Sequence, residues 1–209
     1  QRQMCIRDRK FLRLLLPGIL GAGAIQLNII VGTIIASFLP TGAISHLYYA
    51  DRINQLPLAL FGIALGIALL PTLSKYIKQG AGEEKINNVQ NRSMEFSLLI
   101  SLPSAAGLFI LSEPIIRILF ERGSFSSVDT YYSSQVLSLF ALGLPAYILI
   151  KVLNPSFFAR EDTKTPFYIT LICVALNVLL SLLLIGSMRE MGIALATAIS
   201  SWVNALILY

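Results

Sequence analysis

Residues 45–75 read SHLYYADRINQLPLALFGIALGIALLPTLSK, a mostly apolar stretch interrupted by an adjacent acid and base, Asp51 and Arg52. No Asp, Glu, Lys or Arg occurs at positions 14–50 or 53–74. Because about 20 mostly apolar residues suffice to cross a bilayer, this stretch predicts a transmembrane helix with a charged pair about two turns inside it. Charges in lipid are costly, so such residues usually face a bundle interior or a water-filled cavity and serve function.

The whole chain has the composition of an integral membrane protein. Of its 209 residues, 56% are hydrophobic and only 13% are charged, and the mean hydropathy is +0.74. The apolar runs do not alternate as barrel strands do, and helices satisfy their own backbone groups in lipid. The sequence therefore predicts an all-α, polytopic transmembrane helical bundle with six spans, at about residues 11–39, 46–74, 94–120, 130–158, 166–187 and 191–209.

The two ends of the chain are interpreted separately from the bundle. Residues 1–10 form a polar leader without the order of a signal peptide, and we exclude it from the fold as an artefact of a sequence junction. Residues 11–209 are predicted to form one six-helix transmembrane lobe. The last span has no polar flank after Tyr209, so we expect the natural protein to be longer than this sequence.

The net charge of +5 is distributed as an orientation signal. Basic residues are concentrated before the first span, after the second and after the fourth, whereas the intervening connections are poor in cations. Alternate basic loops follow the positive-inside rule, which places the N-terminus and the loops after spans two and four in the cytoplasm. This distribution argues against a nucleic-acid partner.

The sequence offers few residues for metal or covalent chemistry. Cys5 and Cys173 are its two cysteines and His46 is its single histidine, so neither a disulfide framework nor a metal cluster is indicated. An intramembrane enzyme would need a nucleophile and a base, or metal ligands, within reach of one another. We therefore expect no enzymatic activity, no cofactor and no metal.

A polar and aromatic stripe on the second span contains the predicted binding site. Helical spacing places Tyr48, Arg52 and Gln55 on one face together with Ser45 and Tyr49. Adjacent side chains point about 100° apart, so Asp51 and Arg52 cannot pair fully in a regular helix. The planar guanidinium suits a phosphate or carboxylate, which predicts an anion site in a cavity. The alternative is a structural brace in which Arg52 binds helix carbonyls or another acid, and Asp51 only orients or neutralises it.

Other polar and small residues in the spans have less specific roles. Asn28 follows a proline- and glycine-rich break in the first span and is predicted to line the cavity. Interhelical hydrogen bonds are the expected role of Asn177 and Asn204. Gly62 and Gly66 predict close helix packing, with a hinge as the alternative. Residues 82–92 are compatible with a short surface helix or a polar loop.

Five strings add a family resemblance that periodicity alone does not provide. They are YYADR at 48–52, GIALG at 62–66, LPTLSK at 70–75, LFERGSF at 119–125 and FAREDTKTP at 158–166. In this order they closely resemble the MurJ (MviN) lipid II flippases, members of the MOP exporter superfamily that also contains MATE-like multidrug exporters. The resemblance extends from about Phe11 to Tyr209.

The resemblance implies a fold and a function. It identifies the chain as the second lobe, helices seven to twelve, of a MATE-like transporter in the bacterial cytoplasmic (inner) membrane. The family moves lipid II, a lipid-linked peptidoglycan precursor, from the inner to the outer leaflet by alternating access. One arginine of the family's cationic cavity corresponds to Arg52, beside Asp51, Gln55 and Asn28. The implied partners are lipid II or a similar polyprenyl diphosphate, membrane lipids and the missing N-terminal lobe.

Two other functions remain open on the sequence. Fold analogy does not exclude an exporter of drugs or of another polyprenyl-linked saccharide. Several cavity arginines in the other lobe would favour a lipid diphosphate, whereas acidic or apolar walls would favour cationic drugs. The chain could also be a non-transporting membrane scaffold, which labelling of the cavity from each side of the membrane would distinguish.

Overall fold

The computed structural model describes residues 19, 23, 24, 26–80 and 82–209, and every regular element within these ranges is helical. The helices are α1 (Gln26–Ser37), α2 (Ala43–Lys78), α3 (Glu83–Ile110), α4 (Ser112–Phe120), α5 (Ser127–Ala159), α6 (Lys164–Met188) and α7 (Glu190–Leu208). Short connections make successive long helices antiparallel. Consequently, the C-terminal ends of α2, α5 and α7 lie at the same end of the bundle.

Five of the described helices are long and apolar enough to cross a membrane, namely α2, α3, α5, α6 and α7. They correspond to the second through sixth predicted spans. The first predicted span, 11–39, lies partly outside the described residues, and its described part forms the apolar helix α1. The predicted leader at residues 1–10 lies wholly outside them. The predicted all-α transmembrane bundle is confirmed, while the division into leader and lobe stays a prediction.

Helix α3 differs from the predicted third span at both ends. Its helical conformation begins at Glu83, so residues 83–92 form a polar first part of the long helix rather than a loop. It ends at Ile110, and α4 follows as a separate short helix. Pro114, the third residue of α4, has no N–H to donate to the carbonyl of Ile110, so one hydrogen bond of a continuous helix is missing at this break.

Helix α5 is the central element of the bundle and packs against α2, α3, α4, α6 and α7. One cluster of its buried side chains, including Val136, Leu137 and Phe140, packs with Ile116 of α4. Gly143 permits a close crossing with α7, since a Cβ there would lie 3.0 Å from the Cα of Ala198. The smaller helix α1 packs through Ile35 and Ala36 on α6 and α7.

Helix α2 approaches α5 closely at its two predicted packing glycines. A Cβ on Gly66 would lie 2.9 Å from the carbonyl oxygen of Lys151, and one on Gly62 would lie 3.4 Å from Ile148. These contacts support the close-packing interpretation over the hinge. Between them and the polar stripe, Leu58–Ile63 adopts a π-helix directly after Pro57, a local widening that membrane helices tolerate next to proline.

Candidate functional site

Arg52 is exposed and is held by its own helix. Its Nη2 donates a hydrogen bond to the hydroxyl of Tyr48 at 2.9 Å, and its guanidinium carbon lies 4.6 Å from the centre of the Tyr48 ring. The two residues are one helical turn apart, so the contact is local. Within the described part of the chain, no carboxylate oxygen lies within 4.0 Å of the guanidinium nitrogens. The described residues therefore supply no acidic brace for Arg52.

Asp51 finds a partner that is not Arg52. The side-chain amide of Gln55, one turn later, donates a hydrogen bond to its carboxylate. Asp51 is half-buried, whereas Gln55 is exposed. This pairing matches the expectation that adjacent helical positions diverge, and it keeps the acid from neutralising the arginine directly.

The polar stripe borders a cavity between α2, α5 and α7. The cavity has a volume of about 340 Å³, and its walls include Asp51 and Gln55 from α2 and Tyr147 and Lys151 from α5. Arg52 is one position from this wall and is not part of it. The structure thus brings two of the four predicted site residues into one cavity and places the arginine at its border.

A second cavity, of about 270 Å³, lies on the other side of Tyr147 and Lys151, which line both. Asn28 is half-buried and lines this second cavity, away from Asp51 and Gln55. Asn177 makes the predicted interhelical bonds, donating at 3.1 Å to each of Thr197 and Ser200 on α7. The second cavity is therefore an extensive polar region within the apolar bundle.

The second cavity also contains buried acceptors that are unsatisfied. Among the described residues, the Oδ1 atoms of Asn28, Asn154 and Asn204 accept no hydrogen bond, although all three are buried. Unpaired buried polar atoms are uncommon in proteins because each one loses its bonds to water. The three residues line the second cavity, although their oxygens are themselves buried.

The sequence analysis missed Lys151, although a usable signal was present. This residue lies inside the predicted span 130–158, among apolar neighbours. Its side chain is exposed to the cavities. The rule that selected Arg52, an ionisable residue within an apolar span, also selects Lys151.

A buried cluster at the opposite end of the bundle was also missed. His46 of α2 is 5% exposed, and Glu190 of α7 is fully buried. The imidazole Nδ1 lies 3.1 Å from Oε1 of Glu190, and its Nε2 lies 3.1 Å from Oδ1 of Asp129 on α5. The ring stacks on Tyr132, with centroids 5.6 Å apart. We refer to His46, Asp129 and Glu190 as the histidine cluster, and it joins three helices.

Two of the family-like strings have structural roles at the helix connections. In LFERGSF, Phe120 and Phe125 pack on Tyr49 of α2, with ring centroids 4.7 and 5.3 Å away. In FAREDTKTP, the Asp162 carboxylate accepts a hydrogen bond from the hydroxyl of Thr165 at 2.6 Å. It also accepts hydrogen bonds from the backbone N–H groups of Lys164 and Thr165, each at 3.1 Å. These bonds lower the pKa of the Asp162 carboxyl, and the bond from the Thr165 hydroxyl has the largest effect. They also fix the start of α6.

A bundle of apolar helices that surrounds polar cavities and carries ionisable residues within its spans is typical of membrane transporters. A solved structure shows the same fold. An outward-facing multidrug resistance MATE family transporter of the MOP superfamily superposes with a TM-score of 0.84, at 17% identity, over 95% of this chain and 43% of that chain. At this identity the likeness shows the fold alone.

Sequence comparison defines the family. The family described as lipid II flippase MurJ matches residues 5–209, and the chain belongs to this family. Probable lipid II flippases MurJ from Rhizobium tropici and Rhizobium meliloti (strain 1021) are each 48% identical over 201 residues, which is 96% of this chain and 37% of the relative. A structure titled lipid II flippase MurJ, inward closed conformation, has a TM-score of 0.84 at 33% identity, over 95% of this chain and 42% of that chain. The chain thus spans less than half the length of these relatives. The family and the fold class that the sequence predicted are confirmed.

Proposed function

We propose that this chain forms one lobe of a lipid II flippase in the bacterial cytoplasmic membrane, where Arg52 binds the diphosphate of the lipid-linked peptidoglycan precursor. Membership of the MurJ family supports the transport function. The observation that supports the role of Arg52 is its exposed guanidinium, whose nitrogens have no carboxylate oxygen of the described residues within 4.0 Å. The proposed activity is transport between leaflets by alternating access, with no covalent step.

The local geometry suits the recognition of a phosphate. The Tyr48 hydroxyl accepts a hydrogen bond from one N–H of the guanidinium, and the Tyr48 ring lies against the guanidinium face. The remaining N–H donors are available, and a guanidinium can present two of them in parallel to phosphate oxygens. Because Gln55 satisfies Asp51, the acid does not compete directly for the arginine. Asp51 and Gln55 line the cavity beside Arg52 and would orient the sugar or phosphate portion of the headgroup.

The orientation follows from the distribution of basic residues at the two ends of the bundle. Lys75, Lys78, Lys85, Arg160 and Lys164 are at the end where α2 and α5 terminate. By the positive-inside rule, this end faces the cytoplasm. The histidine cluster, at the start of α2, α5 and α7, then lies at the outer surface. An N-terminal lobe would complete the cavity, and binding would favour the state in which the headgroup contacts Arg52 more strongly.

The test uses a chimaera of the Rhizobium meliloti relative in which the matching segment is replaced by this chain. We expect the chimaera to support growth when the host flippase is depleted. Arg52→Ala should abolish growth at normal membrane levels, and Arg52→Lys should restore only part because lysine cannot present a planar fork. Arg92→Ala, at an exposed position in the polar part of α3, is the matched control and should be neutral.

Two measurements make the outcome decisive. Membrane levels of each variant are determined by immunoblotting, and translocation of labelled lipid II is followed in proteoliposomes. Wild-type growth and translocation with Arg52→Ala would contradict the assigned role of the arginine. A correctly inserted, unsubstituted chimaera that translocates no lipid II would contradict the proposed function as a whole.

A further inference from the structure

Lys151 carries a charge within an apolar helix, and its position there needs an explanation. It lies within the long apolar helix α5, its side chain is exposed, and it lines both polar cavities. Throughout the described part of the chain, no carboxylate oxygen lies within 4.0 Å of its ammonium nitrogen. Asp51 shares the first cavity but is engaged by Gln55. A cation within an apolar span and without an acidic partner is typical of a ligand pathway.

The depth of Lys151 relative to Arg52 follows from the packing of α2 on α5. Gly66 touches the backbone of Lys151, so these two residues lie at the same depth. Arg52 precedes Gly66 by fourteen positions on one continuous helix, which corresponds to about 20 Å at a rise of about 1.5 Å per residue. The Cβ of Lys151 inclines towards the N-terminus of α5, and therefore towards the level of Arg52. The two cations thus occupy different depths of one lobe.

We propose that Lys151 is a second binding residue for the lipid-linked diphosphate and that it contacts the headgroup nearer the basic end of the bundle than Arg52 does. This inference rests on the proposed function. The ammonium is a compact charge with three donors, and it can follow a phosphate group without the directional constraint of a guanidinium. Lys151 would engage the diphosphate first as it enters from the cytoplasmic side, and Arg52 would engage it at the outer depth.

The second cavity gives Lys151 a competing structural role. Asn154 is three positions after Lys151, on the same face of α5, and its Oδ1 is unsatisfied. The unsatisfied oxygens of Asn28 and Asn204 line the same cavity. The structure records no hydrogen bond from Lys151 to any of these three oxygens. The competing interpretation is that Lys151 only satisfies these amides, and the experiment must separate the two.

The experiment measures ligand binding to the purified chimaera in mild detergent. The ligands are a polyprenyl diphosphate, the neutral polyprenol of equal length and inorganic pyrophosphate. Lys151→Met should weaken binding of the polyprenyl diphosphate by about tenfold, the loss expected for one charge-assisted hydrogen bond. Binding of the polyprenol should not change. Lys151→Arg should retain most of the affinity because the charge is kept. Lys78→Met, at an exposed position at the end of α2, is the matched control and should bind as the unsubstituted protein does.

Each possible outcome decides between the interpretations. Unchanged diphosphate binding by Lys151→Met, or an equal loss for diphosphate and polyprenol together with lower thermal stability, would overturn the proposal in favour of a structural role. Pyrophosphate binding as tight as that of the lipid would overturn the assignment to a lipid headgroup. If binding depends on Arg52 but not on Lys151, only this inference fails. If the unsubstituted chimaera binds no polyprenyl diphosphate, the proposed function itself fails.

Discussion

The histidine cluster provides the sharpest test of what holds the lobe together. His46→Ala removes a ring that is 5% exposed and leaves the fully buried carboxylate of Glu190 without its 3.1 Å partner. Loss of a hydrogen bond to a buried charged group costs about 2–3 kcal/mol. The space left beside Tyr132 adds about 1 kcal/mol. Asp129 contributes little to this cost, because its side chain is 31% exposed and Ser126 still binds it. The expected loss in free energy of unfolding is about 3–4 kcal/mol.

The assay is SDS titration of the purified chimaera, with a double-mutant cycle to isolate the contact. Glu190→Gln removes the buried charge, so His46→Ala should cost less in that background, with a coupling energy of at least about 1 kcal/mol. Ser45→Ala is the control, since Ser45 is exposed and adjacent to His46, and it should change stability by less than about 0.5 kcal/mol. An effect of His46→Ala no larger than this control, or strict additivity in the cycle, would refute the assigned energetic role of the cluster.

Two further predictions concern the contacts that position the helices. Gly66→Ala should destabilise the chimaera by about 1–3 kcal/mol, because the added Cβ would lie 2.9 Å from the carbonyl oxygen of Lys151. Gly107→Ala is the control, since a Cβ there would have nothing within 4 Å, and it should be neutral or stabilising in the same SDS titration. Equal effects of the two substitutions would show that α2 and α5 are not in close contact. Asp162→Ala should cost about 1 kcal/mol at neutral pH through loss of its bonds to the start of α6. Folding lowers the pKa of this carboxyl, so its contribution is present above the unfolded value and disappears as the pH falls through the folded value. The stability difference between the unsubstituted protein and the Asp162→Ala variant should therefore shrink in acid, and a constant difference would contradict this.

Sequence patterns predicted the helices well because membrane spans depend on length and composition, which are local properties. The predicted spans 130–158 and 166–187 differ by a few residues from α5 and α6. Within the predicted third span the helix is interrupted. The apolar run continues to Phe120, whereas α3 ends at Ile110 and α4 begins at Ser112, and hydropathy does not detect this interruption.

The candidate site was predictable only as far as its contacts are local. Helical spacing placed Tyr48 beside Arg52, and these two side chains are in contact. It grouped Gln55 with Arg52, whereas the structure pairs Gln55 with Asp51. Asn28 was grouped with these residues, but the structure places it in the neighbouring cavity. The histidine cluster was not predictable, because its members are separated by 83 and 144 positions and only the packing of α2, α5 and α7 brings them together.

The distribution of contacts along α2 indicates how firmly this helix is held on the bundle. Near its N-terminal end, His46 binds side chains of α5 and α7. In its C-terminal half, Gly66 lies against the backbone of α5. Between these two contacts, the side chains of Arg52 and Asp51 form their hydrogen bonds with Tyr48 and Gln55 of the same helix. Among the described residues, no hydrogen bond from another helix restrains the Arg52 guanidinium. A helix that contacts the centre of the bundle on both sides of Arg52 should hold this residue at a fixed place. We therefore expect α2 to present Arg52 from a rigid support.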